Sequence, residues 1–108
     1  MENKMNQLIG YVGTRQLGAM LEQDIRDLDG INIAFAHVEE GRVRWEHPEC
    51  LEDIARIRRI HPEIKIVLSV GGWGAGGFSN AAYTREGRQQ FAQDCVSLVK
   101  QYGLDGID

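Results

Sequence analysis

The segment that most constrains the fold is a continuous apolar run at residues 65–70, Lys-Ile-Val-Leu-Ser-Val, which leads directly into a glycine-rich stretch. An uninterrupted apolar strand, unlike an alternating one, is typical of a parallel sheet that is covered by helices on both faces. Parallel strands also need long crossover connections, usually helices. This segment therefore predicts an α/β chain in which strands and helices alternate.

The rest of the sequence shows that alternation. In chain order we predict a strand at Leu8–Val12, a helix over Leu17–Leu28 with Thr14 as a possible cap, a strand at Ile31–Val38, a turn at 39–43, a helix from Pro48 to Ile60, a helix from Thr84 to Tyr102 and a fourth strand beginning at Leu104. The inward stripe of the last helix is predicted to contain Phe91, Ala92, Cys95, Val96 and Val99. Since the sequence stops inside a predicted buried strand, we interpret it as the front part of a larger α/β protein.

Composition excludes several classes of protein. The 108 residues hold one domain at most. The net charge of −4, from 12 basic and 16 acidic residues, argues against a nucleic-acid or anionic membrane surface. No apolar run approaches the roughly 20 residues of a membrane-spanning helix. The start lacks the apolar core of a secretory signal, so we expect a cytoplasmic protein or a secreted one whose signal has been removed.

Cysteine and histidine spacing gives no sign of a metal site. Cys50 and Cys95 have no metal-binding spacing and both fall on apolar helix faces, which predicts free, buried thiols, with a disulfide between them as the alternative. His37, His47 and His61 show no ligand spacing with cysteines or carboxylates, so neither a metal nor another cofactor is predicted.

The glycine-rich stretch Ser69-Val70-Gly71-Gly72-Trp73-Gly74-Ala75-Gly76-Gly77 follows the end of a predicted strand. This is the edge where α/β barrels and open α/β sheets bind ligands. The stretch lacks the Gly-Lys-Ser/Thr of a phosphate loop, and no clear helix opens after it as in a dinucleotide fold. We interpret it as a binding loop, because a plain turn would leave the tryptophan unexplained.

The final Asp105-Gly106-Ile107-Asp108 places carboxylates on a strand. Because side chains alternate along a strand, Asp108 would share one face with positions two and four further on. Carboxylates stacked on one face cannot all ionise, which is how a general acid arises. Asp105 has the opposite parity and fits a role in holding the start of the strand. Tyr11 and Phe35 are further site candidates with core positions as the alternative, and Trp45 is interpreted as a loop anchor rather than a sugar platform.

Taken together these residues resemble the chitinase-type glycoside hydrolases of family 18 over nearly the whole chain. The resemblance rests on Ile9-Gly10-Tyr11, on Asn32-Ile33-Ala34-Phe35, on Ser69-Val70-Gly71-Gly72-Trp73 as the SxGG motif, and on Asp105-Gly106-Ile107-Asp108 as the front half of a DxxDxDxE signature. It implies the first half, about the first strand to the start of the fourth, of a (β/α)8 TIM barrel, with residues 1–108 as an N-terminal fragment of one catalytic domain.

The resemblance also implies hydrolysis of β-1,4-linked N-acetylglucosamine polymers, with retention of configuration and attack by the sugar's own N-acetyl carbonyl. By the family pattern Asp108 is the supporting carboxylate, held by Tyr11 and Ser69, and Asp105 is the first acid of the signature. The substrate-binding positions implied are Phe35, Gly71, Gly72, Trp73 and Gly74. The general-acid Glu lies beyond residue 108, so we expect the chain alone to be inactive.

One departure from the family concerns the segment after the first strand. Family members often carry a tryptophan soon after the Tyr11 position, whereas this chain has Val12-Gly13-Thr14-Arg15. The expected partner is chitin or an N-acetylglucosamine oligosaccharide, and the open half-barrel edges predict self-association. We expect the parent protein to be secreted. The alternatives are a non-catalytic, lectin-like relative and a small autonomous α/β binding domain.

Overall fold

The computed structural model describes residues 7–39, 42–71 and 84–108, and it shows a five-stranded sheet with helices packed on it. The strands are β1 (Ile9–Gly13), β2 (Gly30–Glu39), β3 (Arg42–Arg44), β4 (Lys65–Gly71) and β5 (Gly106–Ile107). The helices are a 3₁₀ helix (Thr14–Ala19), α1 (Glu22–Asp27), α2 (Glu49–Ile60) and α3 (Arg85–Tyr102). No helix in the described ranges is both long and apolar enough to span a bilayer.

The sheet has the order β1-β2-β4-β5, and all of these neighbours are parallel. Each crossover between them contains a helix, as parallel pairing requires. The short β3 pairs antiparallel with β2 outside this path. This is the arrangement predicted for the first part of an α/β barrel, and it brings the carboxyl ends of four parallel strands to one edge.

The two faces of this sheet are covered to different extents. Ile33, Ile66 and Leu68 are fully buried and share a core with helix residues such as Ile54 and Ile57. On the other face of β4, Val67 and Ser69 are only half-buried. The prediction that helices cover both faces of residues 65–70 is therefore wrong for the described part of the chain, because alternate side chains of β4 face an open surface.

The single helix predicted over 17–28 is wrong in its bounds, since the structure divides it into the 3₁₀ helix and α1. Leu17 and Ile25 are both buried, so the helical spacing of apolar residues does mark the buried side. Met20 and Leu21, between the two helices, have extended backbones, which separates them. Thr14 is not a helix cap; its hydroxyl donates to the carbonyl of Ala34 at 2.9 Å.

The turn predicted at 39–43 is part of a hairpin, because Arg42–Arg44 forms β3 against the end of β2. Asp94 on α3 fixes this hairpin. Its carboxylate accepts two hydrogen bonds from the guanidinium of Arg42, both at 3.0 Å, and one from the backbone N–H of Val43 at 3.0 Å. Partial burial would raise the pKa of Asp94, but these hydrogen bonds outweigh it and hold the pKa below its usual range. The predicted midpoint, Gly41, lies outside the described residues.

The buried face of α3 is rotated about the helix axis relative to the prediction. The buried positions are Asp94, Leu98 and Tyr102, with Phe91, Cys95 and Val99 packed partly against the core. Val96 is 52% exposed and Ala92 is also exposed. A prediction based on apolar residues alone places Asp94 on the exposed side of the helix. Because Asp94 is in fact buried, the predicted face was wrong by a rotation about the helix axis.

The two cysteines are free, so the predicted thiols are confirmed over the disulfide alternative, although Cys95 is only partly buried. Burial raises the pKa of the Cys50 thiol to about 11 and also raises that of Cys95. Because the thiolate is the reactive form, neither cysteine is suited to act as a nucleophile near neutral pH.

Candidate functional site

The carboxyl edge of the parallel strands brings together the residues that the sequence analysis selected. Gly13 of β1 is level with Ala34 of β2, and Ala34 is level with Ser69 of β4. Asp108 continues the row beyond β5: its N–H donates to the carbonyl of Leu68 at 2.9 Å, and its carbonyl accepts from the N–H of Val70 at 3.0 Å. Asp108 therefore lies beside Ser69 in register, although the two are 39 positions apart in the sequence.

Ser69 and Asp108 also project from the same face of the sheet. Directly opposed residues of neighbouring parallel strands share a face, and so do residues two apart on one strand. By this rule Tyr11, two residues before Gly13, belongs to that face as well. Tyr11 is 77% exposed and Ser69 is half-buried, so this face is accessible to a ligand.

Asp108 is exposed, and within the described ranges its side-chain carboxylate has no hydrogen-bond or salt-bridge partner. Two hydrogen bonds to β4 fix the backbone of Asp108, whereas its side chain forms none within the described residues. A carboxylate placed in this way beside a serine hydroxyl can accept hydrogen bonds from a bound polar group or from a neighbouring acid.

Phe35 lies at the same edge because β2 is irregular there. Ala34 and Ala36 pair with the consecutive residues Ser69 and Val70, so Phe35 is the extra residue of a β-bulge. Bulges re-aim side chains and are frequent beside functional sites. The ring is 55% exposed, which makes the alternative of a core position wrong.

Gly71 is needed for the close approach of Phe35. A Cβ added at Gly71 would meet the ring of Phe35 at 2.9 Å, so a side chain there would displace the ring. The other predicted members of the glycine-rich binding loop, Gly72, Trp73 and Gly74, lie outside the described residues.

A surface pocket of about 400 Å³ opens beside Phe35 at the ends of β1 and β2. It is lined by Gly13, Thr14, Arg15, Gln16, Ala34, Phe35, His37 and His47. The pocket occupies the place where the sequence departs from the family, after the first strand.

Trp45 anchors this pocket from behind, as predicted for a loop anchor. It is 3% exposed, and its indole N–H donates to the hydroxyl of Thr14 at 3.1 Å. That hydroxyl in turn donates to the carbonyl of Ala34, the residue before Phe35. These two hydrogen bonds, from Trp45 to Thr14 and from Thr14 to Ala34, thus connect the end of β1 to the bulge of β2. Local sequence patterns could not predict this link, because its hydrogen bonds join residues 20 and 31 positions apart.

Asp105 lies at the opposite edge of the sheet. Its carboxylate accepts from the N–H of Ile66, near the start of β4, at 2.8 Å and from the guanidinium of Arg58 at 2.9 Å. Partial burial would raise its pKa, but these hydrogen bonds and the charge of Arg58 lower it overall. The structure thus places the Asp105 carboxylate away from Ser69 and Asp108, in contacts that hold the start of β4 against the segment before β5.

Metal chemistry gains no support from the described residues. Nowhere in these ranges do three or more His, Cys, Asp or Glu side chains converge as a metal site would require. The chemistry available at the carboxyl edge is therefore that of an exposed carboxylate, two hydroxyls, an aromatic ring and backbone amides. These are the groups that bind a polyhydroxylated, amide-bearing ligand.

Comparison with known proteins places this geometry in a family. The sequence profile described as "Glycosyl hydrolases family 18" matches residues 7–108. Chitinase B of Serratia marcescens is 33% identical over 99 residues, covering 77% of this chain and 20% of that protein.

Two solved structures extend the likeness to the fold. A family 18 N-acetylglucosaminidase from Paenibacillus barengoltzii is 44% identical with a TM-score of 0.85, covering 95% of this chain and 31% of its own. The chitinase domain of the spore coat protein CotE from Clostridium difficile is 31% identical with a TM-score of 0.78, covering all of this chain and 32% of its own. The chain thus spans about a third or less of these relatives.

Proposed function

This chain belongs to the glycosyl hydrolases of family 18, and from that premise we propose that the whole protein hydrolyses β-1,4-linked N-acetylglucosamine polymers. The observation that carries the proposal is the alignment of Ser69 and Asp108 on the open face at the carboxyl edge, with Tyr11 on the same face. In α/β barrels this edge is where catalytic groups lie.

The mechanism proposed is substrate-assisted and retains the configuration at the anomeric carbon. The N-acetyl carbonyl oxygen of the sugar attacks the anomeric carbon while the glycosidic oxygen leaves with a proton from the general acid. Water then opens the cyclic intermediate and restores the acid. Asp108 is proposed to support this cycle by accepting a hydrogen bond from the next acid of the signature. Ser69 and Tyr11 share its face, form no hydrogen bond to it within the described residues, and are proposed to hold it in the whole protein.

The sugar-binding residues proposed are Phe35, whose exposed ring can stack on a sugar face, and the segment from Gly71 through Gly72, Trp73 and Gly74. Asp105 is proposed to have no catalytic role, because its carboxylate is occupied by Arg58 and Ile66 at the other edge. The ligand is chitin or an N-acetylglucosamine oligosaccharide.

Turnover of a fluorogenic chitobioside by the whole protein tests this proposal. Asp108→Asn keeps the shape of the side chain but removes its charge, so we expect kcat to fall by about 10²-fold or more. Asp24→Asn, an exposed position on α1, is the matched control and should retain the wild-type rate. Equal rates for Asp108→Asn and wild type would contradict the role of Asp108, and binding without any turnover by wild type would favour a lectin-like protein.

The polypeptide of residues 1–108 is proposed to show no turnover by itself, because the Glu that completes the signature is not among its residues. The same fluorogenic assay checks this expectation. Release of the fluorophore by the 108-residue polypeptide, at a rate that depends on Asp108, would overturn it.

The same polypeptide is proposed to self-associate. In the described residues β1 and β5 are the edges of the parallel path, and Leu8 and Ile9 beside the β1 edge are 54% and 38% exposed. Open strand edges with exposed apolar residues favour pairing with a second chain. Light scattering should report a dimer or larger species, and a stable monomer of 12.1 kDa would contradict this proposal.

A further inference from the structure

The pocket beside Phe35 is lined by basic and uncharged residues, whereas the chain as a whole is acidic. Three of its lining residues, Arg15, His37 and His47, carry basic side chains, and none of the lining residues is acidic. The chain itself has a net charge of −4. A permanently charged arginine with no acidic residue among the other lining residues, in a concave place beside the proposed site, favours an anionic ligand group.

Arg15 is the strongest of these groups. It is exposed in the first turn of the 3₁₀ helix, and within the described ranges it forms no salt bridge. The guanidinium offers a planar fork of donors that matches a carboxylate. Since no described carboxylate pairs with the Arg15 guanidinium, a ligand anion would not have to displace one.

The backbone that presents Arg15 is fixed. Its neighbour Thr14 is bonded to Trp45 at 3.1 Å and to the carbonyl of Ala34 at 2.9 Å. On the far wall, the N–H of His47 donates to the hydroxyl of Tyr102 at 3.2 Å. A pocket whose walls are held in this way loses little conformational entropy when a ligand binds.

The two histidines differ in their surroundings. His47 is half-buried and its Nδ1 lies 3.1 Å from the carboxylate of Glu49, which is not one of the pocket's lining residues. His37 is exposed and pairs in register with Gly71, next to the glycine-rich segment. Arg15 is therefore the lining residue with a permanent positive charge, and it has no carboxylate partner among the described residues.

From these observations we propose that the pocket binds a carboxylate carried on the saccharide, and that the substrate class is an acidic, N-acetylglucosamine-containing polymer. This inference rests on the proposed function, because it places the ligand in the sugar-binding cleft. The exposed ring of Phe35 would contact the sugar face while Arg15 receives the carboxylate. A neutral chain of N-acetylglucosamine offers Arg15 only uncharged oxygen acceptors, which form weaker hydrogen bonds than a carboxylate does.

The experiment compares three oligosaccharides of equal length by titration calorimetry on the whole protein at fixed pH and ionic strength. The first is a neutral β-1,4 N-acetylglucosamine oligomer. The second is the same oligomer with a 3-O-lactyl carboxylate on alternate sugars. The third alternates N-acetylglucosamine with glucuronic acid, which places the carboxylate on a different atom. The readout is the ratio of the Kd for the neutral oligomer to the Kd for each acidic one.

We expect wild type to prefer at least one acidic oligomer by about threefold to tenfold, the range for an exposed charge-assisted pair. Arg15→Gln should bring that ratio close to one, and Arg15→Lys should keep part of it because the charge remains. Arg59→Gln removes the same charge from an exposed position on α2 and should keep the wild-type ratio. Circular dichroism of each variant shows that its fold is intact.

Each outcome decides the proposal. A preference for both acidic oligomers, or for one of them, supports it and identifies the carboxylate position that the pocket accepts. A ratio near one in wild type, or an acidic preference that survives Arg15→Gln, overturns the inference while leaving the proposed function in place. Failure of all three oligosaccharides to bind would contradict the proposed function and the inference together.

Discussion

Two aspartates three positions apart, Asp105 and Asp108, lie on either side of β5 and are used in opposite ways. Asp105, at the amino edge of the sheet, accepts hydrogen bonds from Arg58 and from the N–H of Ile66. Asp108, at the carboxyl edge, is held only through its backbone, and its side chain has no partner in the described ranges. The first carboxylate stabilises the fold, whereas the second remains accessible to solvent.

The difference shows what each edge of the sheet contributes. At the amino edge the donors of Arg58 also reach the carbonyls of Ile64 and Gly103, so one guanidinium joins three segments of the chain. At the carboxyl edge the polar side chains of Ser69 and Tyr11 face the open surface. This division matches α/β barrels, in which one end of the strands serves stability and the other serves function.

The largest expected difference between the two aspartates is in their contribution to the free energy of unfolding. We expect Asp105→Asn to lower the free energy of unfolding by about 1–3 kcal/mol, because charge-assisted hydrogen bonds to Arg58 and Ile66 are weakened. Asp108→Asn is the matched control at the other edge and should change it by less than about 0.5 kcal/mol. Urea unfolding followed by circular dichroism measures both values. Equal losses for the two variants would break the comparison.

A smaller effect is expected within the carboxyl edge. Thr14→Val keeps the shape of the side chain but removes the hydroxyl that links Trp45 to Ala34. The loss should be about 1 kcal/mol in the free energy of unfolding, since both partners then lack a hydrogen bond. Thr14→Ser retains the hydroxyl and should lose less. If Thr14→Val and Thr14→Ser unfold at the same urea concentration, the hydrogen bonds of the Thr14 hydroxyl do not stabilise the carboxyl edge.

The smallest effect is expected in the acid range. The pKa values of Asp94 and Asp105 lie below those of the unfolded chain, since hydrogen bonds to each carboxylate outweigh the effect of burial. Their contribution is therefore complete above the unfolded pKa of about 3.9 and is lost as the pH falls through the folded values. Urea midpoints between pH 7 and pH 2 should fall less steeply for Asp105→Asn than for wild type. An identical slope would show that Asp105 is not held as described.

Much of the fold could be predicted from local pattern. The strands at 31–38 and 65–70 and the helix that ends before Pro62 follow from apolar runs and helix signals, and Gly103 ends α3 with a φ of 68°, as a glycine after a helix does. The 3₁₀ helix and β3 could not be predicted in this way. β3 depends on Asp94, whose three bonds to the hairpin come from a residue 51 positions away.

The site was predictable to a similar degree. Tyr11, Ser69 and Asp108 could be selected because they lie on predicted strands and match family motifs, and register then places Ser69 beside Asp108. The basic pocket around Arg15 could not be foreseen, since it joins residues from three separate segments. Long-range convergence of this kind has no local sequence signal.

The most direct test of the central claim, that the carboxyl edge is the saccharide site, is an NMR titration of the ¹⁵N-labelled chain with a neutral N-acetylglucosamine tetramer. We expect the backbone amide signals of Tyr11, Ser69, Gly71 and Asp108 to shift on addition of the sugar, and those of Arg58 and Asp105 to stay in place. Shifts concentrated at Arg58 and Asp105, or no shifts at saturating sugar, would contradict the claim.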